Sequence, residues 1–239
     1  VFSDGVVRGV GCIDRLTGRE FLVQARHVVG TTGPWTDRTA TDLLKTWRRV
    51  LRPSKGVHLT LDRRRLPLER AVVMATESDR RIVFGIPRHE MIIIGTTDTD
   101  FSGDPGLVGT TEEDVGYLLR VVEKYFPGAR LTEEDLIASY AGVRPLVDDG
   151  ASTESKTSRE HLIHRDPRGI TFVAGGKYTT YRLMSKHAVE VALEAFPIED
   201  QVRFRFSETL SPLNSEITPE SLRQSKMLAT EVGTESQIS

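Results

Sequence analysis

The stretch Ile170-Thr171-Phe172-Val173-Ala174-Gly175-Gly176-Lys177-Tyr178-Thr179-Thr180-Tyr181-Arg182 reads as a strand, a glycine turn and the start of a helix. Two glycines after a strand let the backbone approach a flat ligand closely. The helix that follows has Leu183, Ala188, Val191 and Ala192 on its expected buried stripe, and it aims free N–H groups and a positive dipole end at the same place. Lys177 adds a point charge. From these residues alone, a glycine-rich turn capped by the hydroxyls of Thr179 and Thr180 explains the pattern equally well. A second unit of this kind stands upstream, where Val28-Val29 ends a strand, Gly30-Thr31-Thr32-Gly33 makes a turn and Pro34 opens a helical turn.

Before that unit, Val6 to Val29 reads as two strands about the turn Asp14-Arg15-Leu16-Thr17-Gly18. Between the two units come short apolar runs, Gly56 to Leu61, Ala71 to Ala75, Arg81 to Ile86 and Met91 to Ile94, whose close spacing predicts a mainly antiparallel sheet. Thr110-Thr111-Glu112-Glu113 reads as a capping box, and Val115, Leu118, Leu119, Val122 and Phe126 follow at helical spacing, so this helix lays one face on the sheet. Thr132-Glu133-Glu134-Asp135 signals a shorter helix, and Ala141-Gly142-Val143-Arg144-Pro145 ends an extended piece. Gly150 to Ser158, polar and rich in Ser and Thr, reads as an exposed loop; a hairpin follows, His161 to Arg165 and Gly169 to Ala174, and a last helix begins near Ser215.

The 239 residues suffice for one large domain or two packed ones. A net charge of −2 excludes a global basic surface for nucleic acid, so any anion site is local. The lone Cys12 excludes an intramolecular disulfide and a multi-cysteine metal site. No apolar run reaches the ~20 residues of a membrane span. The nucleotide fingerprints also fail: Gly9-Val10-Gly11 meets Asp14 where the dinucleotide pattern needs glycine, and Tyr178 follows Gly176-Lys177 where a phosphate loop needs Ser or Thr. His161 and His164 would point to opposite faces of a strand, so they read as hairpin surface residues and no metal site is expected. Arg144 and Arg159 could form two guanidinium forks for a dianion, although each taken singly fits a salt-bridged surface residue better. His58 alone likewise fits a packed strand histidine.

Five segments, in order, resemble the FAD-dependent glycerol-3-phosphate dehydrogenases: Arg52-Pro53-Ser54-Lys55-Gly56-Val57-His58, Ile94-Gly95-Thr96-Thr97-Asp98-Thr99-Asp100, Tyr140-Ala141-Gly142-Val143-Arg144-Pro145-Leu146, Ser158-Arg159-Glu160-His161 and Gly175-Gly176-Lys177-Tyr178-Thr179-Thr180-Tyr181-Arg182. The resemblance runs from Asp4 to about Phe196. It implies an α/β plus α+β chain: part of a Rossmann-like FAD-binding domain, with a mixed, mainly antiparallel substrate-domain sheet covered by helices. The implied division is 1–50 and 166–200 in the flavin domain, 51–165 in the substrate domain, and 201–239 as linker and start of a helical C-terminal domain, with Thr218 to Val232 as its first helix. The chain then reads as an internal piece whose glycine fingerprint for FAD lies upstream of Val1, with poor solubility and weak FAD affinity expected when it is expressed alone.

The implied reaction oxidises sn-glycerol 3-phosphate to dihydroxyacetone phosphate, passing a hydride from C2 to flavin N5 and electrons on to quinone. By resemblance, His58 accepts the C2 hydroxyl proton, Arg144 and Arg159 hold the phosphate, and Lys177 sits by the flavin N1 edge. Arg144, Arg159 and Lys177 are expected to converge on one pocket. Thr96 and Thr97 line the substrate side or simply pack, and Gly175, Gly176, Lys177, Thr179, Thr180, Thr32 and Gly33 contact FAD. Gly30-Thr31 replaces the Asn-Ala usual in the family before Thr32-Gly33. A peripheral position at the cytoplasmic membrane face and a homodimer are compatible with the family. Two other readings remain open: a flavin-dependent amine or amino-acid oxidase, and a non-catalytic module binding a phosphorylated metabolite.

Overall fold

The computed structural model describes residues 1–76, 81–148, 150, 160–204 and 220–221. The chain divides into Val1–Phe196 and Pro197–Ser239. The first unit begins with strands β1 (Phe2–Ser3), β2 (Val6–Val7), β3 (Gly9–Ile13), β4 (Glu20–Gln24) and β5 (Val28–Gly30), followed by helix α1 (Thr36–Leu43). It continues through β6 (Leu51–Asp62), β7 (Val72–Ala75), β8 (Ile82–Arg88), β9 (Met91–Gly95), β10 (Thr99–Asp100), α2 (Glu112–Tyr125), β11 (Leu136–Val147), β12 (His161–Asp166), β13 (Ile170–Gly175) and α3 (Tyr181–Leu193). In the second unit, α4 (Ile198–Arg203) is described, and Glu220 and Ser221 are helical. The rest of the helix expected over 218–232 lies outside the described residues.

The four short runs between Leu51 and Gly95 become β6 to β9, all antiparallel, in the order β10-β6-β9-β8-β7 with β11 along the free side of β6. β6 and β11 pair over nearly their whole lengths, from Leu51 opposite Val147 to Leu61 opposite Leu136. The twofold alternation of a strand then separates two environments. Val57, Leu59 and Leu61 of β6 and Ile92 and Ile94 of β9 pack beneath Leu118, Val121 and Val122 of α2, all buried. Ser54, Gly56 and His58 occupy the opposite face, away from the helix.

Lys55 shares the helix-side face and reaches the Asp114 carboxylate at 2.6 Å. This contact bears on where α2 starts. The cap is Thr111 rather than Thr110, with Asp114 three residues on closing the box, because the Asp114 carboxylate accepts from the Thr111 N–H at 3.0 Å and from Lys55 together. The shorter helix expected after Thr132 is a single 3-10 turn, Glu133–Asp135, before β11.

The other main sheet is β12-β13-β5: β12 and β13 form the expected hairpin, and β13 runs parallel to β5 with Phe172 opposite Gly30. His161–Asp166 therefore lies in the same sheet as Val28–Gly30. Gly30 is necessary at this crossing, since a Cβ there would stand 2.8 Å from the Phe172 ring. Phe172, Ile170, Val7, Ala40 and Leu44 form a second buried cluster. On α3, Ala188 and Ala192 are buried as expected, but Leu183 is exposed. Five residues from Ala188, it sits about 140° off the stripe, where Met184, four residues away, belongs.

Candidate functional site

Two features face solvent from these sheets. The first is built on the open face of the antiparallel sheet. His58 of β6 stands opposite Tyr140 of β11 and Gly95 of β9. Its ring stacks on Tyr140, centroids 4.8 Å apart and planes 11° from parallel, while a Cβ on Gly95 would run into the imidazole. Two residues along β6, Gly56 leaves the space that the Arg144 guanidinium fills, and any Cβ there would overlap it. Arg144, opposite Ser54 on β11, donates from Nη1 to Asp98 Oδ1 at 3.2 Å and from Nη2 to Thr96 Oγ1 at 2.9 Å and the Thr97 carbonyl at 3.2 Å. Asp98 is buried and accepts a short hydrogen bond from the Ser54 hydroxyl.

Burial, and secondarily the Arg144 charge, holds the His58 imidazolium below its ordinary range. Near neutral pH the ring is therefore a neutral acceptor with a cation beside it. That combination is chemically useful, because a neutral imidazole can take a hydroxyl proton while a nearby guanidinium steadies negative charge. Thr97 is buried and its hydroxyl accepts from the Val57 N–H at 3.0 Å, so its side chain braces the strand while its carbonyl meets Arg144; Thr96 meets Arg144 through its hydroxyl.

The second feature is the carboxyl edge of the parallel pair β5 and β13, the position where open α/β sheets hold ligands. Both strands run into positive-φ glycines and then a 3-10 turn and a helix: Gly33 (φ +57°) before α1, and Gly175 (φ +71°) and Gly176 (φ +77°) before α3. A Cβ on Gly175 would stand 2.5 Å from the Glu160 carbonyl, which is fixed backbone; one on Gly176 would meet the movable end of Met184, and there the positive φ is what favours glycine. At Gly33 the equivalent space is open. At these three glycines the backbone carries no side chain, which lets a flat ring system approach it closely. Lys177 and Thr179 are exposed beyond it, and the Thr180 hydroxyl, also exposed, bonds back to the Lys177 carbonyl at 3.0 Å. Thr32 caps the first edge less tightly, with its hydroxyl 3.3 Å from that of Thr36.

The structure thus brings His58, Arg144 and Thr96 together, and Gly175, Gly176, Lys177 and Thr180 together. Arg159 lies outside the described residues, as does the polar loop apart from Gly150. Residues passed over in the sequence are Asp98 and Ser54, which hold Arg144, and Tyr140, which stacks on His58. Only the alternation along β6 hinted at Ser54. His187 was also passed over: its Nδ1 lies 3.0 Å from Nε2 of His161, so that histidine faces α3, while His164 meets the edge of Trp47.

The family model of the FAD dependent oxidoreductases matches residues 2–182. An aerobic glycerol-3-phosphate dehydrogenase of Staphylococcus aureus is 34% identical over 209 residues, which are 87% of this chain and 36% of the relative. The chain thus spans little more than a third of the length of the curated relatives it matches. Among solved structures, the glycerol-3-phosphate dehydrogenase of Bacillus halodurans complexed with FAD superposes with a TM-score of 0.72 at 37% identity, covering 81% of this chain and 37% of that one. The L-alpha-glycerophosphate oxidase of Mycoplasma pneumoniae, at 15% identity and a TM-score of 0.53, covers 85% of this chain and 52% of its own and shares the fold. The chain belongs to the FAD dependent oxidoreductase family.

Proposed function

We propose that the intact protein oxidises sn-glycerol 3-phosphate to dihydroxyacetone phosphate. The observation that carries this reading is the placement of a neutral, half-buried His58 beside Arg144 on one sheet face. The substrate phosphate, carrying roughly two negative charges at neutral pH, meets Arg144 and Arg159, whose planar donors match its oxygens. That anchor leaves the C2 hydroxyl to be aligned with His58, which takes its proton as C2 becomes a carbonyl carbon. Bound FAD would supply the two-electron acceptor for the hydrogen that leaves C2. Gly33, Gly175 and Gly176 would give the flavin backbone free of side chains, Thr32, Thr179 and Thr180 would border it, and Lys177 would lend positive charge to a ring that gains negative charge on reduction.

Electrons then pass to quinone, and the protein works at the cytoplasmic face of the membrane as a peripheral protein. Among the described residues, no helix is long and apolar enough to cross a membrane. The test is His58→Asn in the full-length, flavin-loaded protein. Turnover at neutral pH drops by about 10²- to 10⁴-fold with FAD content unchanged; turnover within about threefold of the unsubstituted protein would remove His58 from proton transfer.

A further inference from the structure

Arg144 is fixed by a second layer of side chains that the sequence gives no reason to connect with it. Asp98 comes from the link between β9 and β10, and Ser54 from β6. The Ser54 hydroxyl donates to Asp98 Oδ1, the oxygen that also accepts from Arg144 Nη1 at 3.2 Å, while Nη1 stands 3.4 Å from the hydroxyl itself. The Asp98 side chain is only 12% exposed, so its charge is poorly screened by solvent. The far side of the guanidinium is closed by the bare backbone of Gly56. Arginine is a long, flexible side chain, and an anchor of this kind removes the freedom it would otherwise lose on gripping a ligand.

We propose that Asp98, set by Ser54, is a positioning residue: it holds Arg144 in the plane that meets the substrate phosphate, and its negative charge tempers the effect of Arg144 on His58. This inference rests on the function proposed for Arg144 and His58. Among the described residues, the charged and titratable groups that act on or touch His58 are Arg144 and Tyr140 from β11, and Asp98 from the β9–β10 link is paired with that Arg144; Lys55 and Asp114 lie on the opposite face of the sheet. Removing Asp98 therefore leaves the cation beside His58 without its counter-charge and makes the imidazole harder to protonate.

Asp98→Ala and Asp98→Asn are to be compared in the full-length, flavin-loaded protein, with FAD content and melting temperature as controls. Asp98→Ala raises KM for glycerol 3-phosphate roughly tenfold with a smaller change in kcat, because the guanidinium loses its anchor. Asn keeps an acceptor oxygen, so Asp98→Asn holds KM within about threefold of the unsubstituted value. In both variants the acid limb of kcat/KM moves to lower pH. The His58 titration midpoint, followed by NMR and assigned by loss of its signal in His58→Asn, moves the same way. A folded Asp98→Ala protein with unchanged KM, or a His58 midpoint that stays put in Asp98→Asn, would overturn the proposal. If Asp98→Ala does not fold, the Asn midpoint decides. If the unsubstituted protein fails to oxidise glycerol 3-phosphate, the functional reading falls while the NMR midpoints still decide whether Asp98 acts on His58 through Arg144.

Discussion

His58 owes its chemistry to position within a strand. Its register opposite Tyr140 gives it a stacking partner, the absence of a side chain on Gly95 gives it room, and burial with the Arg144 charge keeps it deprotonated below the ordinary histidine value of 6.5. A folded-state pKa lowered in this way leaves the neutral, proton-accepting form populated as the pH falls through 6.5. The acid limb of kcat/KM is accordingly expected below that value in a pH–rate profile; a limb at or above it would show that another group accepts the proton. Gly56→Ala is a sharper probe of Arg144. The new Cβ overlaps a guanidinium already held by Asp98 and Thr96, so the arginine is displaced. Loss of a charged bidentate contact is worth roughly 1.5–3 kcal/mol, hence KM for glycerol 3-phosphate rises by about 10- to 100-fold in steady-state assays. At this scale the sequence showed which residues are chemically capable but not how they are held. Asp98 lies 46 positions and Ser54 90 positions from Arg144, and only strand register brings them within reach.

Elements carry their own constraints. The Lys55–Asp114 pair ties β6 to the first turn of α2 with both side chains largely buried, 13% and 5% exposed. Burial raises the Asp114 carboxyl, but the hydrogen bonds from Lys55 and Thr111 outweigh it and leave the group below the ordinary value of 3.8. The pair therefore contributes fully at neutral pH, and its contribution is lost as the pH falls through and below that value. Asp114→Ala strips the cap and leaves a buried ammonium unpaired, and thermal or urea unfolding should show a loss of about 3–5 kcal/mol. A change under about 1 kcal/mol would mean that the helix is anchored by its apolar face alone. The strands between Leu51 and Gly95 and the amphipathic pattern of α2 were legible because periodicity is a local property. The one-residue shift of the cap was not, since it depends on a lysine 59 positions away. Leu183 was misplaced for a simpler reason: hydrophobicity suggested the stripe, but helix phase excludes it.

For the molecule as a whole, the two glycine edges and the His58–Arg144 face belong to one unit, Val1–Phe196, which the family match covers almost entirely. That unit also carries the hairpin β3–β4, on which Val10, Ile13, Phe21, Leu22 and Val23 are exposed on both faces. A two-stranded hairpin with apolar side chains on each side is weakly stable and prone to association. The 239-residue chain expressed alone is therefore expected to self-associate with rising concentration, which size-exclusion chromatography with light scattering will detect; a monomer at high concentration would contradict this. The flavin-binding character was legible only through the resemblance carried by five ordered segments, whereas the parallel pairing of β5 with β13 that aligns the two glycine edges joins segments about 140 residues apart and needed the fold. The most direct test of the function is anaerobic stopped-flow absorbance of the full-length, FAD-loaded protein mixed with sn-glycerol 3-phosphate. Saturable bleaching of the flavin band, with dihydroxyacetone phosphate formed in equal amount, is the predicted result. A flavin that stays oxidised with glycerol 3-phosphate, or bleaches only with an amine or amino acid, would contradict it.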